Sequence, residues 1–292
     1  GALQSVTLGQ GILVNNYSNT IEYPQVRQIG LNLQAKVADV GIELIHSNFK
    51  VAYPGIIGLR GSYKIFGLSL VTDLDQNAGL KDSDGDSYPS YYDDYPDDDI
   101  KYNEAWELYL QNPTGFDDLF NCSGSGDEDC LQNNLKTIFP NSYNSYNPEL
   151  TDKDPISGIA IDVAYPLSEK ISLYSQFAQL IGETPENPKV PTNKVKLGWG
   201  AVPVGVRAKL GPVNLMAEYR MNSRRFIFNY WDRSYDINRV TLSTGIPTTR
   251  EGQLYQYGKL SGFYTQSNIS VMNIVNLGMG YQNMQGEKWD TT

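Results

Sequence analysis

The chain has 292 residues and a formal net charge of −10, with 19% charged and 12% aromatic residues. A nucleic-acid binder is disfavoured because no net basic field exists to release phosphate counterions, and a helical membrane protein is excluded because the sequence has no run of about 18 to 20 apolar residues. A hydrophobic content of 40% excludes disorder of the whole chain. The class of transmembrane β-barrels stays open, because alternating strands average to a polar mean hydropathy, here −0.41.

The charge is concentrated in one part of the chain. Residues 73–154 contain 20 acidic and 4 basic residues, a net charge of −16, whereas the rest contains 13 acidic and 19 basic residues, a net charge of +6. Charge asymmetry of this kind separates regions of different character. The sequence therefore describes a mildly basic body with one acidic insert.

The body begins with a predicted β-hairpin. Apolar side chains occupy every second position of residues 29–37, and the alternation resumes at Val40 after Ala38 and Asp39. Because side chains of a strand point alternately to its two faces, the pattern is typical of two strands joined by a tight turn. The alternation recurs in 56–66, 68–74, 159–165, 171–177, 195–201, 204–210 and 213–221, and more weakly near 252–265 and 271–284.

Two details refine this strand pattern. The phase of alternation slips at Val202 and Pro203, which predicts a bulge because proline cannot donate to a central ladder. No stretch of the body shows sustained helical periodicity. The body is therefore predicted to be all-β.

The predicted connections alternate in length. The short turns lie at 38–39, 67, 167–169 and 211–212, and the long loops lie at 15–26, 49–55, 77–155, 183–193 and 230–250. If each strand reverses direction, all short turns fall at one end of the sheet and all long loops at the other. Outer-membrane barrels are built in this way, with strands of about 9 to 11 residues.

A soluble β-sandwich or lipocalin-like barrel is the alternative, because alternation alone does not say which face points inward. Full charges and many glycines on the polar face, the segregation of loop lengths and aromatic residues near strand ends favour the membrane barrel. The predicted fold is an antiparallel transmembrane β-barrel. About eleven strands can be counted, and since bacterial single-chain barrels have even numbers, about 12 strands are expected, with 14 as the alternative.

The alternating segments from Val6 to Met284 resemble a Gram-negative outer-membrane β-barrel of porin-like pattern. The segment LGQGILVNNYSN, residues 8–19, resembles the opening strands of outer-membrane proteins of the Bacteroidota type. The resemblance implies a multi-pass protein of the bacterial outer membrane in contact with lipid and lipopolysaccharide, and it implies no particular solute. Residues 1–76 and 156–292 would form one barrel domain, with residues 77–155 as an extracellular insert.

The insert contains a candidate calcium site. Carboxylates at alternate positions, Asp82, Asp84 and Asp86, can converge on one hard cation that takes six to eight oxygens. The spacing departs from the EF-hand because Gly85 stands at position 4. It is closer to the D-x-D-G-D repeats of thrombospondin type 3 modules, and this resemblance implies calcium ligation by Asp82, Asp84, Asp86 and Asp93, with Asp97 as a weaker candidate. The alternative is a solvated acidic loop.

The insert also contains both cysteines of the chain, Cys122 and Cys130. Glycine and serine between them permit closure, and the cell exterior is oxidising, so a disulfide is predicted. A two-thiol metal site is the alternative, but no histidine lies nearby.

No catalytic arrangement is indicated, and the chain is not expected to be an enzyme. The chain has one histidine, His46, and its neighbour Ser47 points to the opposite face of the predicted strand, so the two cannot act together. An acid-pair hydrolase among the many carboxylates stays open at this stage.

Ten charged residues, seven basic and three acidic, are predicted to line the lumen of the barrel. By strand parity they are Lys36, Glu43, Arg60, Lys64, Asp162, Lys196, Arg207, Lys209, Glu218 and Arg220. A basic lining favours anions, whereas opposite charges paired across a narrow lumen would hold it shut. Two functions are therefore considered: a porin-like channel or transporter for small polar solutes, and a non-conducting anchor or scaffold that binds a surface or secretion partner through its outer loops.

Calcium binding by the insert is testable by calorimetry. Calcium added to the purified protein is expected to give measurable heat, and Asp84→Ala is expected to weaken the affinity because it removes one of the alternating carboxylates. An absence of binding heat, or an affinity that is unchanged in Asp84→Ala, would leave the solvated acidic loop as the explanation.

Overall fold

The computed structural model describes residues 5–18, 30–47, 55–77, 153–187, 190–243, 246–271 and 275–287. Nearly all of the acidic insert lies outside these ranges, and so do the predicted calcium ligands and both cysteines. The predictions of a calcium site and a disulfide therefore stay predictions.

The chain is all-β, with ten strands in one antiparallel sheet. In sheet order these strands are β1 (Leu31–Val37), β2 (Val40–His46), β3 (Ile56–Tyr63), β4 (Phe66–Asp73), β5 (Ile156–Pro166), β6 (Ile171–Ile181), β9 (Trp199–Leu210), β10 (Val213–Asn222), β13 (Leu260–Val271) and β14 (Val275–Gly286). Neighbouring strands in this sheet are therefore also consecutive along the chain, except where one of two inserted hairpins lies between them. Among the described residues the sheet has ten strands, fewer than the twelve expected.

The two hairpins lie in the long connections. One pairs β7 (Glu183–Asn187) with β8 (Val190–Lys196), and the other pairs β11 (Val240–Ser243) with β12 (Ile246–Thr249). A short helix, α1 (Tyr235–Asn238), and a 3-10 turn at Leu254–Gln256 complete the described elements. In this part of the chain, no helix is long and apolar enough to cross a membrane.

One face of the sheet, here called the outer face, is apolar and exposed. The strand register aligns its side chains in rows across the strands, because antiparallel partners point to the same face. One such row contains Leu33, Leu44, Leu59, Leu70 and Ile159. A second contains Val37, Val40, Tyr63, Phe66 and Val163. Most of these side chains are exposed, which reverses the usual polarity of a soluble sheet.

The opposite face, here called the inner face, is rich in glycine and polar residues. One of its rows contains Lys36, Gly41, Ser62, Gly67, Asp162 and Gln176. Asp162 and Gln176 are buried, as are Ser69, Glu218, Arg220 and Asn222 on the same face. The polar face of the sheet is therefore the covered face.

Two segments cover the inner face. The first is an N-terminal hairpin, residues 5–18, closed by main-chain hydrogen bonds between Val6 and Tyr17. The second is the β10–β13 connection, residues 223–259. A Cβ at Gly158 of β5 would lie 2.9 Å from both Leu13 and Trp231, so glycine is needed there to let these inner segments approach the sheet.

The sheet curves around the tip of the N-terminal hairpin. Asp162 of β5 and Arg60 of β3 both lie against Gly9, where a Cβ would collide with them, and Arg207 of β9 hydrogen-bonds to Gln10. Strands β3 and β9 are four positions apart, about 19 Å in a flat sheet at the usual spacing. Because side chains from both strands reach consecutive residues, the sheet wraps around them.

Several sequence-based expectations are confirmed. The hairpin turns at 38–39 and 211–212 are present. The register of β9 shifts against both β6 and β10 near Val202 and Pro203, which is the predicted bulge.

Other expectations are wrong. The turn predicted at Gly67 lies at 64–65, and Lys64 adopts a positive φ of 53° there. Residues 195–201 were predicted as one strand, but β8 ends at Lys196 and β9 begins at Trp199. The segment 8–19 was expected to open the barrel, but its described part, up to Ser18, lies against the inner face and not in the sheet. Its short apolar runs pack in the interior and do not belong to a strand of the sheet.

Candidate functional site

The candidate functional site is the inner side of the sheet, which the N-terminal hairpin and the β10–β13 connection fill. The end of this interior near the long connections is apolar. Val14 and Trp231 form a parallel bridge, and main-chain hydrogen bonds join Trp231 N to Leu13 O at 3.0 Å and Asn229 N to Ile12 O at 2.9 Å. The hairpin and the β10–β13 connection therefore form one packed unit. Its fully buried large side chains include Tyr17, Phe226, Tyr230, Trp231 and Tyr235.

Buried hydrogen bonds and an ion pair fix this unit to the sheet. Tyr235 donates from its hydroxyl to Asp73 at 2.9 Å, at the end of β4, and Arg239 lies 3.8 Å from the same carboxylate. Tyr17 donates to Asp236 at 3.0 Å. Burial raises the pKa of Asp236 to about 6, against the opposing effect of Arg239. The aromatic unit is thereby held at one place on the sheet.

Gln76 joins both ends of the acidic insert to the β10–β13 connection. Its main-chain NH donates to Asp154 O at 2.9 Å, its side-chain amide donates to Glu251 at 3.1 Å, and its amide oxygen accepts from Tyr230 at 3.0 Å. Asp154 N also donates to Asp75 at 3.3 Å. The base of the insert is therefore held on the filled interior rather than hanging free from the sheet.

Charged and aromatic side chains form a second layer on the inner face. Glu218 accepts from Tyr174 at 2.5 Å and from Arg220 at 2.6 Å. The Arg220 guanidinium lies 3.7 Å from the centre of the Tyr264 ring, a cation–π contact. Arg60 and Asp162 form a separate ion pair. The Tyr264 hydroxyl donates to Gln266 at 3.2 Å. All six ionisable groups in these contacts thus have a partner of opposite charge or a hydrogen bond.

The ten residues predicted to line a lumen fall into three groups. Five of them lie on the inner face and take part in ion pairs or hydrogen bonds: Arg60, Asp162, Arg207, Glu218 and Arg220. Glu43 is half-buried and opposite Arg60, whereas Lys36 and Lys209 are exposed on strands of the sheet. Lys64 and Lys196 depart from the expected geometry, because Lys64 lies in a turn and Lys196 lies in the β7–β8 hairpin outside the main sheet. That the ten residues line a water-filled lumen stays a prediction.

The described part of the chain contains no candidate metal site. No group of three or more His, Cys, Asp or Glu side chains there is placed to hold a metal ion. The predicted calcium ligands Asp82, Asp84, Asp86, Asp93 and Asp97 lie outside that part, and so does the pair Cys122 and Cys130.

Comparison of the chain with protein-family models, with curated proteins and with solved structures finds no significant match. A function must therefore be argued from the geometry.

The sequence pattern did not reveal the inner segments, although it contains one signal of them. Residues 226–231, FIFNYW, overlap the start of the long loop predicted at 230–250, yet they are almost entirely apolar. A solvated loop of a soluble or membrane protein has little reason to carry four aromatics and an isoleucine in six residues. The main-chain partners of this segment, Ile12 and Leu13, are more than 200 residues away.

The buried Glu251 gives a prediction about pH. Burial and, to a smaller degree, the charge of Asp154 raise its pKa from the ordinary 4.5 to about 8, while Lys194 and hydrogen bonds from Gln76 and Glu183 act in the other direction. Between these two pKa values the folded state holds a proton that the unfolded chain has released. The free energy of unfolding therefore falls as pH rises through this window.

Urea unfolding between about pH 5 and pH 9 tests this linkage. Glu251→Gln is expected to remove most of the fall in stability, because a neutral amide cannot ionise. The exposed Glu169→Gln serves as the matched control and is expected to leave the fall unchanged. An identical pH profile for wild type and Glu251→Gln would show that Glu251 does not ionise in this window.

Proposed function

We propose that the chain is a closed transmembrane β-barrel of the bacterial outer membrane, acting as a non-conducting anchor that presents its acidic insert to a surface or secretion partner. The exposed apolar outer face supports membrane insertion. Soluble monomers rarely expose continuous apolar patches of more than a few hundred Å², whereas the outer face here carries rows of leucine, isoleucine, valine and aromatic side chains across neighbouring strands.

The dimensions of the strands support the same proposal. Strands β5 and β6 have 11 residues, and β9, β13 and β14 have 12 residues. A tilted strand needs about 9 to 11 residues to cross the hydrocarbon layer. Aromatic side chains on the outer face, such as Tyr63, Phe66 and Tyr165, lie close to the short turns, where an interfacial girdle is found in such barrels.

The sheet topology is compatible with closure. Among the described strands, β1 and β14 are each paired on one side only, and they are antiparallel to each other because ten strands alternate in direction. Pairing β1 with β14 would remove both open edges, which a lipid-exposed sheet cannot leave unpaired. The short turns would face the periplasm, and the long connections, including the insert, would face the cell exterior.

The packed interior is the observation that favours an anchor over an open pore. Trp231, Tyr17, Tyr230 and Tyr235 are fully buried at the end of the interior that faces the long connections. These buried aromatic side chains would block a continuous water path at that end. A calcium site in the insert, if formed, would add a rigid outer surface for a partner.

A porin-like channel for small polar solutes is the second candidate, because the end of the inner face near the short turns is polar. Lys36, Lys209, Asn214 and Asn268 lie there on the inner face. Conduction would require the inner segments to move, and the acidic insert would then act as a gate.

Membrane insertion is testable with two leucine-to-arginine variants. Leu70, near the middle of β4, and Leu167, in a short turn, are similarly exposed at 46% and 55%. In lipid vesicles, Leu70→Arg is expected to lower the free energy of unfolding by about 2 to 4 kcal/mol, and Leu167→Arg by about 0 to 1 kcal/mol, because the cost of the charge depends on its depth. Two equally small losses would indicate that the outer face lies in water.

Conductance in planar bilayers separates the anchor from the channel. The refolded wild type is expected to show no conductance. Trp231→Ala is expected to show channel openings, because the substitution creates a cavity among the buried aromatic side chains. Stable ohmic steps from the wild type would overturn the anchor proposal and favour the channel.

A further inference from the structure

Arg207 occupies a prearranged position on the inner face of β9. Its guanidinium lies 4.7 Å from the centre of the Tyr174 ring, and Tyr174 is held in turn by its hydrogen bond to Glu218 at 2.5 Å. This cation–π contact restrains the guanidinium, and its Nη1 and Nη2 groups donate to the tip of the N-terminal hairpin. An arginine fixed in this way is suited to recognise a planar group with two oxygens.

Gln10 supplies two oxygens to this guanidinium. Arg207 Nη1 donates to the side-chain oxygen of Gln10 at 2.6 Å, and Nη2 donates to the main-chain oxygen of the same residue at 2.9 Å. Two parallel N–H···O bonds to one partner are the arrangement that an arginine makes with a carboxylate. The uncharged Gln10 therefore takes the place that an anion would take, without neutralising the positive charge.

A cavity of about 570 Å³ adjoins Arg207 at the end of the interior near the short turns. Its lining includes three cations, Arg207, Lys170 and Lys209, and three side-chain amides, Asn214, Gln266 and Asn268. Glu169 is the one acidic residue in that lining. The lining thus has an excess of positive charge, and the amides can donate hydrogen bonds to further oxygens. Its volume lies within the range of small-molecule sites.

We propose that Arg207 and this cavity bind a small organic dicarboxylate, and that Gln10 occupies the guanidinium as an internal substitute for one of its carboxylates. One carboxylate of the ligand would displace Gln10 from Arg207, and the other would lie near Lys209 or Lys170. The proposal goes beyond the anchor function and does not rest on it, because it concerns side chains of the interior whether or not the protein conducts.

Succinate is the probe, and the neutral succinamide is its matched control. Binding to the full chain is measured by calorimetry at low ionic strength in a cationic buffer, because salt screens such contacts. Succinate is expected to bind and succinamide is not. Arg207→Gln is expected to weaken succinate binding at least tenfold, and Lys209→Gln, which leaves the Gln10 contact intact, is expected to weaken it several-fold.

Gln10→Ala makes the decisive test because its expected effect has the opposite sign. Removing the competing side-chain oxygen is expected to strengthen succinate binding several-fold, whereas a merely structural role of Gln10 would weaken binding or leave it unchanged. Circular dichroism spectra that match the wild type establish that each variant is folded. The proposal is overturned by equal binding of succinamide, by no succinate binding to the folded wild type, by unchanged or weaker binding in Gln10→Ala, or by inorganic phosphate binding more tightly than succinate.

Discussion

The polar inner face of the ten-stranded sheet has to be covered and its charges paired, and the rest of the structure follows from this requirement. Burying an unpaired charge costs several kcal/mol, so each buried ion on this face needs a partner. Arg60 has Asp162, and Arg220 has Glu218. Arg207 has the two oxygens of Gln10 instead of an acid. The N-terminal hairpin and the β10–β13 connection supply the remaining cover, and their own apolar residues pack together where the sheet offers glycine rather than charge.

The outer face shows the complementary arrangement. Its cross-strand rows leave leucine, isoleucine and aromatic side chains exposed, although the same chain contains enough apolar residues to build a buried core elsewhere. That core forms between the inner segments and the end of the sheet near the long connections, not on the outer face. A soluble sandwich would have used the apolar face of the sheet for its core, and the chain does not. The polarity of the sheet and the position of the core therefore lead to the same proposal of a membrane environment.

Much of the sheet could be predicted from the sequence, because strand alternation is a local property. The hairpin turns, the bulge at Val202 and Pro203, and the inward position of Arg60, Asp162, Arg207, Glu218 and Arg220 all follow from parity along single strands. The interior could not be predicted, because it depends on contacts between distant parts of the chain. The hydrogen bond from Tyr17 to Asp236 spans 219 residues and that from Arg207 to Gln10 spans 197. No periodicity within one sequence encodes such pairs. The break between Lys196 and Trp199 was missed because alternation continues in phase across it.

The buried aromatic side chains of the interior and the tip of the N-terminal hairpin differ in how firmly they are held. At the end near the long connections, Tyr17, Tyr230, Trp231 and Tyr235 are fully buried. Exposing one such side chain costs about 1.5 to 3 kcal/mol, and exposing all four approaches the whole stability of an ordinary domain. The hairpin tip is held by fewer contacts, since the two hydrogen bonds from Arg207 to Gln10 contribute about 1.5 to 3 kcal/mol each. A ligand that replaces Gln10 on Arg207 makes equivalent hydrogen bonds to the guanidinium. It can therefore release the tip without exposing the four buried aromatic side chains. In the proposed barrel, movement of the tip and conduction are therefore separate events, and a protein with this interior can bind an anion without opening a path for water.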